Sequence, residues 1–233
     1  MSHAWLGPGY QVTSQPNIVH PGGRAQVGHR DYHLGFLAPA VIEQYPAHVH
    51  RLSPVLTLQG AVAHTVMPVE SGPTLYLPHS QRYGPGYLAT NRPEFRAYFD
   101  EHHVRLPLDK GDAAFFNPAV IHGAGSNHSA DIHRMANLLQ VSSAFGRAMD
   151  SVDRVRLCAA VYPALRVHPA PEHAIAAAAE GYAFPTNLDR DQPVDGLAPS
   201  SQADLVRRAL QEGWGDTAFR TEPEAQAARR ETH

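Results

Sequence analysis

His29 and Asp31 stand two residues apart in the run Gln26-Val27-Gly28-His29-Arg30-Asp31-Tyr32-His33. On an extended strand, residues two apart share a face, so an imidazole and a carboxylate project together. That pair is two thirds of the 2-His-1-carboxylate set, which holds Fe(II) on one side and leaves its other positions open. The third ligand must come from elsewhere, and His122 is the best candidate. It ends the apolar run Phe115-Phe116-Asn117-Pro118-Ala119-Val120-Ile121 and is followed by Gly123 and Gly125, where a bulky cosubstrate could approach the backbone. His33 lies on the same alternating face and competes as the second ligand. Taken alone, a His-x-Asp pair is more often an exposed pair or a structural hydrogen bond than a ligand set.

Arg134 follows His122 by twelve residues, in His133-Arg134-Met135-Ala136-Asn137-Leu138. At the start of a strand, a guanidinium fork can grip a carboxylate through two parallel hydrogen bonds. An ordinary surface pair with Asp131 is the competing account, and spacing does not choose between them. Gln26 and Gln59 are polar residues in strand segments, able to line a cosubstrate pocket or to point outward. The run Tyr83–Tyr87 has the placement of a lid or substrate loop. Cys158, in an apolar helical stretch, reads as a small core residue.

Elements that must hold these groups can be read from turn signals and periodicity. Up to about Arg147 the chain is a series of short β-type runs: Gln11-Val19, Arg24-Asp31, Val55-Val62, Thr74-Leu77, Val104-Leu108, Ala113-Asn117 and Met135-Phe145. A helix over Pro93-His102, with Pro at its first turn, interrupts them, and Asp109-Lys110-Gly111-Asp112 is a turn. Beyond Arg147 the pattern is helical: a segment capped by Asp150 or Ser151 and running to Leu165, then Glu172-Glu180 and Gln202-Glu212. Phe184-Ser200 reads as a loop, and the polar tail after Glu222 shows no core face and is expected to fray. The fold class is therefore mainly β over residues 1–147, with a helical extension over 148–233 packing on that core.

Composition removes several classes of function. The 233 residues carry 19 Lys and Arg against 22 Asp and Glu, a net charge of −3, which offers no basic field for nucleic acid. Every apolar run is far shorter than the ~18 residues of a membrane span. One cysteine excludes an internal disulfide framework and a Cys-based zinc cluster. The start lacks the basic and apolar regions of a signal peptide, so a cytoplasmic protein is expected. There are 16 histidines, a surplus that says little until spacing selects among them.

Four pieces in order resemble the phytanoyl-CoA dioxygenase family: His29-Arg30-Asp31, the segment Pro68–Gln81, the segment Lys110–Asn127 around His122, and Arg134. The resemblance covers roughly Gly9 to Phe145. It implies a double-stranded β-helix (jelly-roll, cupin-like) core, Fe(II) on His29, Asp31 and His122, and 2-oxoglutarate anchored by Arg134. It also implies dioxygenase chemistry on a small-molecule substrate with O2, 2-oxoglutarate being decarboxylated to succinate and CO2. Related iron halogenases replace the carboxylate ligand with a small residue; this chain keeps Asp31, which favours hydroxylation. Three features depart from the family pattern. Only 28 residues precede His29, so the chain reads as N-terminally short; a non-catalytic jelly-roll remnant acting as a binding module is the alternative. Ala136 stands where family members often have a serine, and Pro78-His79-Ser80-Gln81 replaces the usual Pro-Gly-Ser-His.

Overall fold

A computed structural model, which describes residues 1–146 and 148–232, turns the alternating runs into seven strands among the described residues. These are β1 (Gln11–Val19), β2 (Thr57–Ala63), β3 (Thr74–Tyr76), β4 (Val104–Arg105), β5 (Ala113–Phe116), β6 (His122–Ala124) and β7 (Arg134–Ser142). One sheet has the order β1-β7-β2-β5 and the other β4-β3-β6. Antiparallel registers place Gln59 opposite Phe116, Thr74 opposite Ala124, and Tyr76 opposite His122. The turn before β5 closes as its residues suggest. Gly111 takes φ +97°, Asp112 N–H donates to Asp109 O, and Asp109 N–H donates to the Asp112 carboxylate at 2.9 Å.

The expectation of a mainly β chain is corrected: 37% of the chain is helical and 17% is strand. Several strands are only two to four residues long. Short helices also occupy the connections between them: α2 (Pro39–Ile42) and α3 (Leu52–Leu56) before β2, α4 (Gly86–Ala89) and α5 (Pro93–His102) before β4, and α1 (Ser2–Leu6) at the start. The expected strand over Arg24–Asp31 does not form as a regular element. Its backbone hydrogen bonds to β6 are those of Gln26 N–H to Ala124 O and of the His29–His122 bridge. The Phe99 ring packs directly on Gly28, where a Cβ would collide with it.

Two compact units divide the chain, one of Met1 with Ser14–Gln140, the other of Ser2–Thr13 with Val141–His233. The boundary read at residue 147 falls on Arg147, outside the described residues. In the first unit, small apolar groups sit above the strands. Leu75, Leu77, Phe99 and Ile121 form one cluster, and Ala63, Met67 and Ala136, with Ala61 and Leu108, another. In the second unit α6 (Arg154–Leu165), α7 (Glu172–Ala178), α8 (Gln202–Gln211) and α9 (Asp216–Arg230) enclose Cys158, Tyr162, Ile175, Val206 and Phe219. Cys158 is buried, and burial pushes its thiol up to about 12 despite the lowering effect of Arg154. Helix α8 begins with a capping box, in which Ser201 Oγ accepts from Asp204 N–H and the Asp204 carboxylate from Ser201 N–H, both at 3.1 Å. No described helix is long and apolar enough to cross a membrane.

Helix α9 overturns the expectation of a frayed tail. Phe219, Pro223 and Gln226 form one buried stripe at helical spacing. Phe219 stacks on Tyr162 with centroids 3.7 Å apart and planes 7° from parallel. Gln226 satisfies its buried amide on the Ser200 carbonyl at 2.9 Å. Only one large apolar residue marks that stripe, which is why a pattern of polar residues hid it.

Arg30 holds the first unit together at the place where its chemistry-bearing residues meet. Its side chain points away from the face of His29 and Asp31 and is 3% exposed. Nη2 donates to the carbonyls of Ser80 and Tyr83 at 2.6 and 2.9 Å, and the guanidinium lies 5.2 Å over the Tyr87 ring. Burial pulls its pKa down to about 10, against a small raising effect of Tyr87. Ser80 reaches the other way as well: its Oγ accepts from Ile121 N–H at 2.7 Å. The loop 80–87 thereby ties the residue between His29 and Asp31 to the residue before His122. Gly86 is required, since a Cβ there would fall on the Arg30 guanidinium.

Two substitutions test these packing statements by urea denaturation. Gly86→Ala should destabilise the fold by about 1–3 kcal/mol by overpacking a pinned buried group. Gly84→Ala, with nothing within 4 Å of its added methyl, should stay within about 0.5 kcal/mol of the parent; equal stabilities would refute the clamp. Phe219→Ala should cost about 3–5 kcal/mol, and a loss under about 1 kcal/mol, typical of an exposed position, would show that α9 is not part of the core.

Candidate metal centre

Backbone pairing brings the three donors together. His29 N–H donates to His122 O at 2.9 Å, and His122 N–H donates to His29 O at 3.0 Å. Residues that exchange both bonds stand directly opposite, with side chains on one face. The two imidazole centroids are accordingly 4.7 Å apart. Asp31, two residues past His29, places its carboxylate on both rings. Its Oδ1 lies 3.3 Å from His29 Nε2, and its Oδ2 lies 3.2 Å from His122 Nε2. One donor atom from each of the three residues lies within 4.8 Å of the others, and the group could hold a metal ion.

Ring orientation is fixed from behind. His29 Nδ1 is 2.8 Å from Val27 O, and His122 Nδ1 is 2.9 Å from Val120 O. A carbonyl only accepts, so each Nδ1 carries the proton and each neutral ring turns its Nε2 lone pair toward Asp31. Lone pairs facing a carboxylate at 3.2–3.3 Å repel unless a proton or a cation lies between them. The donor set thus fits a cation of the N,O-liganded kind. Its electrostatics show the same demand for positive charge between the groups, which a proton also meets. Burial works to lower the His29 pKa, but the Asp31 carboxylate and the Val27 carbonyl outweigh it and the net shift is upward. Burial works to raise Asp31, and the two imidazoles overcome it, holding the carboxyl far below the usual range. Tyr76 and Phe116 wall His122, the Phe116 ring edge-on at 4.7 Å. His122 is buried, while the His29 side chain keeps 33% exposure, so the cluster opens on the His29 side.

Among the other residues singled out from sequence, Gln59 donates its amide to Asp31 Oδ2. Gln26 is exposed, and its Oε1 accepts from Ala124 N–H at 3.0 Å, sealing the β6 edge. His33 is outside the cluster; its Nδ1 meets Ser53 Oγ at 2.9 Å, and Tyr32 and His33 take φ of 66° and 41°. That left-handed turn breaks the alternation which would have put His33 beside Asp31. Arg134 opens β7. Two residues on, Ala136 packs with Ala61 and Ala63 of β2, so Arg134 shares the sheet face on which Gln59 reaches Asp31. Arg134 is 7% exposed, burial draws its pKa down, and its Nη1 has no hydrogen-bond partner. No ion pair joins it to Asp131 among the described residues. A buried, unpartnered guanidinium nitrogen fits an external carboxylate. Arg30 was given no role by the sequence, which places it only between His29 and Asp31. Strand alternation puts it on the far face, and nothing local announces the loop carbonyls it binds.

A search of curated proteins finds no match. Solved structures similar to this chain include EctD from S. alaskensis with bound Fe, at 20% identity and TM-score 0.47, over 64% of this chain and 50% of that one. The Ni complex of the non-heme monooxygenase ThoJ is similar at 14% identity and TM-score 0.44, over 97% and 70%. EvdMO1 is similar at 17% and 0.44, over 61% and 29%, so the chain spans under a third of that protein's length. The phytanoyl-CoA dioxygenase family profile matches residues 1–136. That match covers more than half of the sequence, and the chain belongs to the phytanoyl-CoA dioxygenase family, whose metal and cosubstrate are Fe(II) and 2-oxoglutarate.

Proposed function

We propose that this chain is an Fe(II)- and 2-oxoglutarate-dependent oxygenase that hydroxylates a small organic substrate. Its ligands would be His29, Asp31 and His122, with Arg134 binding the distal carboxylate of 2-oxoglutarate. The observation that carries the reading is the pair of Nε2 lone pairs turned on one carboxylate, each fixed by a backbone carbonyl behind it. The orphaned Arg134 nitrogen on the same sheet face supports the second half. The two antiparallel sheets are read as part of a double-stranded β-helix core, residues 1–147, with residues 148–233 as a helical extension, in a cytoplasmic enzyme.

When bound, the iron and 2-oxoglutarate supply O2 activation, coupling decarboxylation to succinate and CO2 with oxidation of a substrate C–H bond. This chain's residues provide the rest. The Val27 and Val120 carbonyls hold both imidazoles in the ligating tautomer. Gln59 leaves Asp31 Oδ1 free by hydrogen bonding to Oδ2, which limits how the carboxylate can rotate. Asp31 would be the carboxylate ligand that related halogenases replace with a small residue, which favours hydroxylation over halogenation. Tyr76 and Phe116 keep water from the His122 side, leaving access past His29.

The test uses the purified chain with Fe(II), ascorbate and 2-oxoglutarate. It should bind about one Fe(II) per chain and release succinate. Asp31→Ala should abolish both. Arg134→Met should retain iron but raise the KM for 2-oxoglutarate about ten- to hundredfold, the loss of a charge-assisted contact of about 1.5–3 kcal/mol. No iron bound and no succinate formed would sink the enzyme reading in favour of a binding module. An Arg134→Met variant with unchanged KM would remove the clamp alone.

A further inference from the structure

His20 and His133 form a second pair of imidazoles that the proposed reaction does not use. His20 follows the last residue of β1, His133 precedes the first residue of β7, and those strands are neighbours in the sheet. Their Nδ1 atoms are 2.8 Å apart, with ring centroids at 4.9 Å and planes crossing at 83°. Both residues are exposed.

The backbone under the pair is built with unusual completeness for a surface feature. Asn127 is 1% exposed, and its amide donates to Val19 O at 3.1 Å and to Ile132 O at 2.7 Å. Those are the residues immediately before His20 and His133. Asn127 also exchanges backbone bonds with Gly22 and Gly23, and Gly23 N–H donates to His20 O at 3.0 Å. On the other side, Ser129 Oγ donates to Asn127 Oδ1 and accepts from Ile132 N–H. One buried side chain therefore sets the departure of both histidines from the fold.

We propose that His20 and His133 chelate a borderline divalent transition ion, of the Zn2+, Ni2+ or Cu2+ class, through their two Nδ1 atoms. Two neutral imidazoles at this separation share one proton between two inward nitrogens. Moving that proton to a solvent-facing Nε2 leaves two lone pairs facing each other, and a small turn of the two exposed rings aims both at one ion. Two metal–nitrogen bonds of about 2.0–2.1 Å hold their nitrogens about 2.9 Å apart at the right angle of a square-planar Cu2+ or Ni2+ site and about 3.3–3.4 Å apart at zinc's tetrahedral angle; the observed 2.8 Å suits the first as it stands, and two exposed rings reach the second by parting slightly. Imidazole pairs select these ions over Mg2+ and Ca2+, which take oxygen ligands. Exposure leaves the remaining coordination positions to water. The ion would cross-link β1 to the start of β7, whose first residue is Arg134, and so would brace the strand end that carries the candidate clamp.

Equilibrium dialysis of the metal-stripped full chain against Zn2+ tests this, with ¹⁵N spectra of the imidazoles as a site-specific readout. The tightly bound zinc should fall by about one ion per chain in His20→Ala and again in His133→Ala, neither of which disturbs a buried group. In His29→Ala, which cripples the proposed iron site, zinc should still shift the His20 and His133 nitrogens. Mg2+ should shift neither. Unchanged zinc stoichiometry in both single variants, or no zinc response at the two imidazoles, would overturn the proposal without touching the iron-site reading. Loss of all zinc in His20→Ala would support it and count against the iron site instead.

Discussion

The reciprocal hydrogen bonds between the backbones of His29 and His122 are the constraint on which the first unit turns. They join two segments far apart in sequence, so their formation carries a loop-closure cost that local structure does not offset. That pairing alone would be a weak hinge, because the segment before it is too irregular to make a full ladder with β6. The Arg30–Ser80–Ile121 connection supplies what the missing ladder would have given. It grips the peptide next to each histidine from the opposite face, and burying the guanidinium makes any loosening costly, because the charge would lose both carbonyl partners.

That rigidity has a purpose, since the donor cluster opposes itself. Two lone pairs and a carboxylate are held together by a frame that lets none of them turn away. Natural folds tolerate such local conflict at functional sites and offset it elsewhere. Ala61, Ala63 and Ala136 pack together on the sheet face that carries Gln59. Ala136 also bears on the missing serine of the family pattern. A hydroxyl there would sit in this apolar contact, and in its absence Gln59 is the polar group of that face that reaches the carboxylate.

Much of this was legible from residue order. The His-x-Asp alternation and the helix over Pro93–His102 follow from period and punctuation, which are local properties, whereas the apolar run expected to end in a strand at His122 stops pairing at Phe116 and His122 opens β6 instead. What was not legible was set by distant partners. The stretch 24–31 alternates like a strand, yet it pairs with β6 through an isolated bridge at His29 rather than a ladder. His33 belongs to the same alternation, and two left-handed residues remove it. Arg30 looks like any charged residue on a strand until the loop 80–87 arrives. In the second unit, α9 buries a glutamine whose partner carbonyls lie at the start of α8, so its polar sequence conceals a core face. The helical share of the whole was underestimated for a similar reason: four- and five-residue helices leave no periodic trace.

The connection from β6 to β7 shows how the two halves of the candidate site are kept in register. It runs from Gly125 to His133, between the distal histidine and Arg134, and it has no apolar cluster of its own among those described. Its shape rests on Asn127, buried and saturated: both amide hydrogens are donated and the oxygen accepts from Ser129. Apolar packing would hold such a loop in place but let it slide, since dispersion and burial are indifferent to small rotations. Directional bonds to Val19 and Ile132 do not. An unpaired amide in that position costs about 1–3 kcal/mol, so the loop has one well-defined arrangement, and the spacing from His122 to Arg134 becomes a distance rather than a range. A bidentate clamp needs that, because a guanidinium fork grips a carboxylate only when the strand carrying it starts from a fixed point.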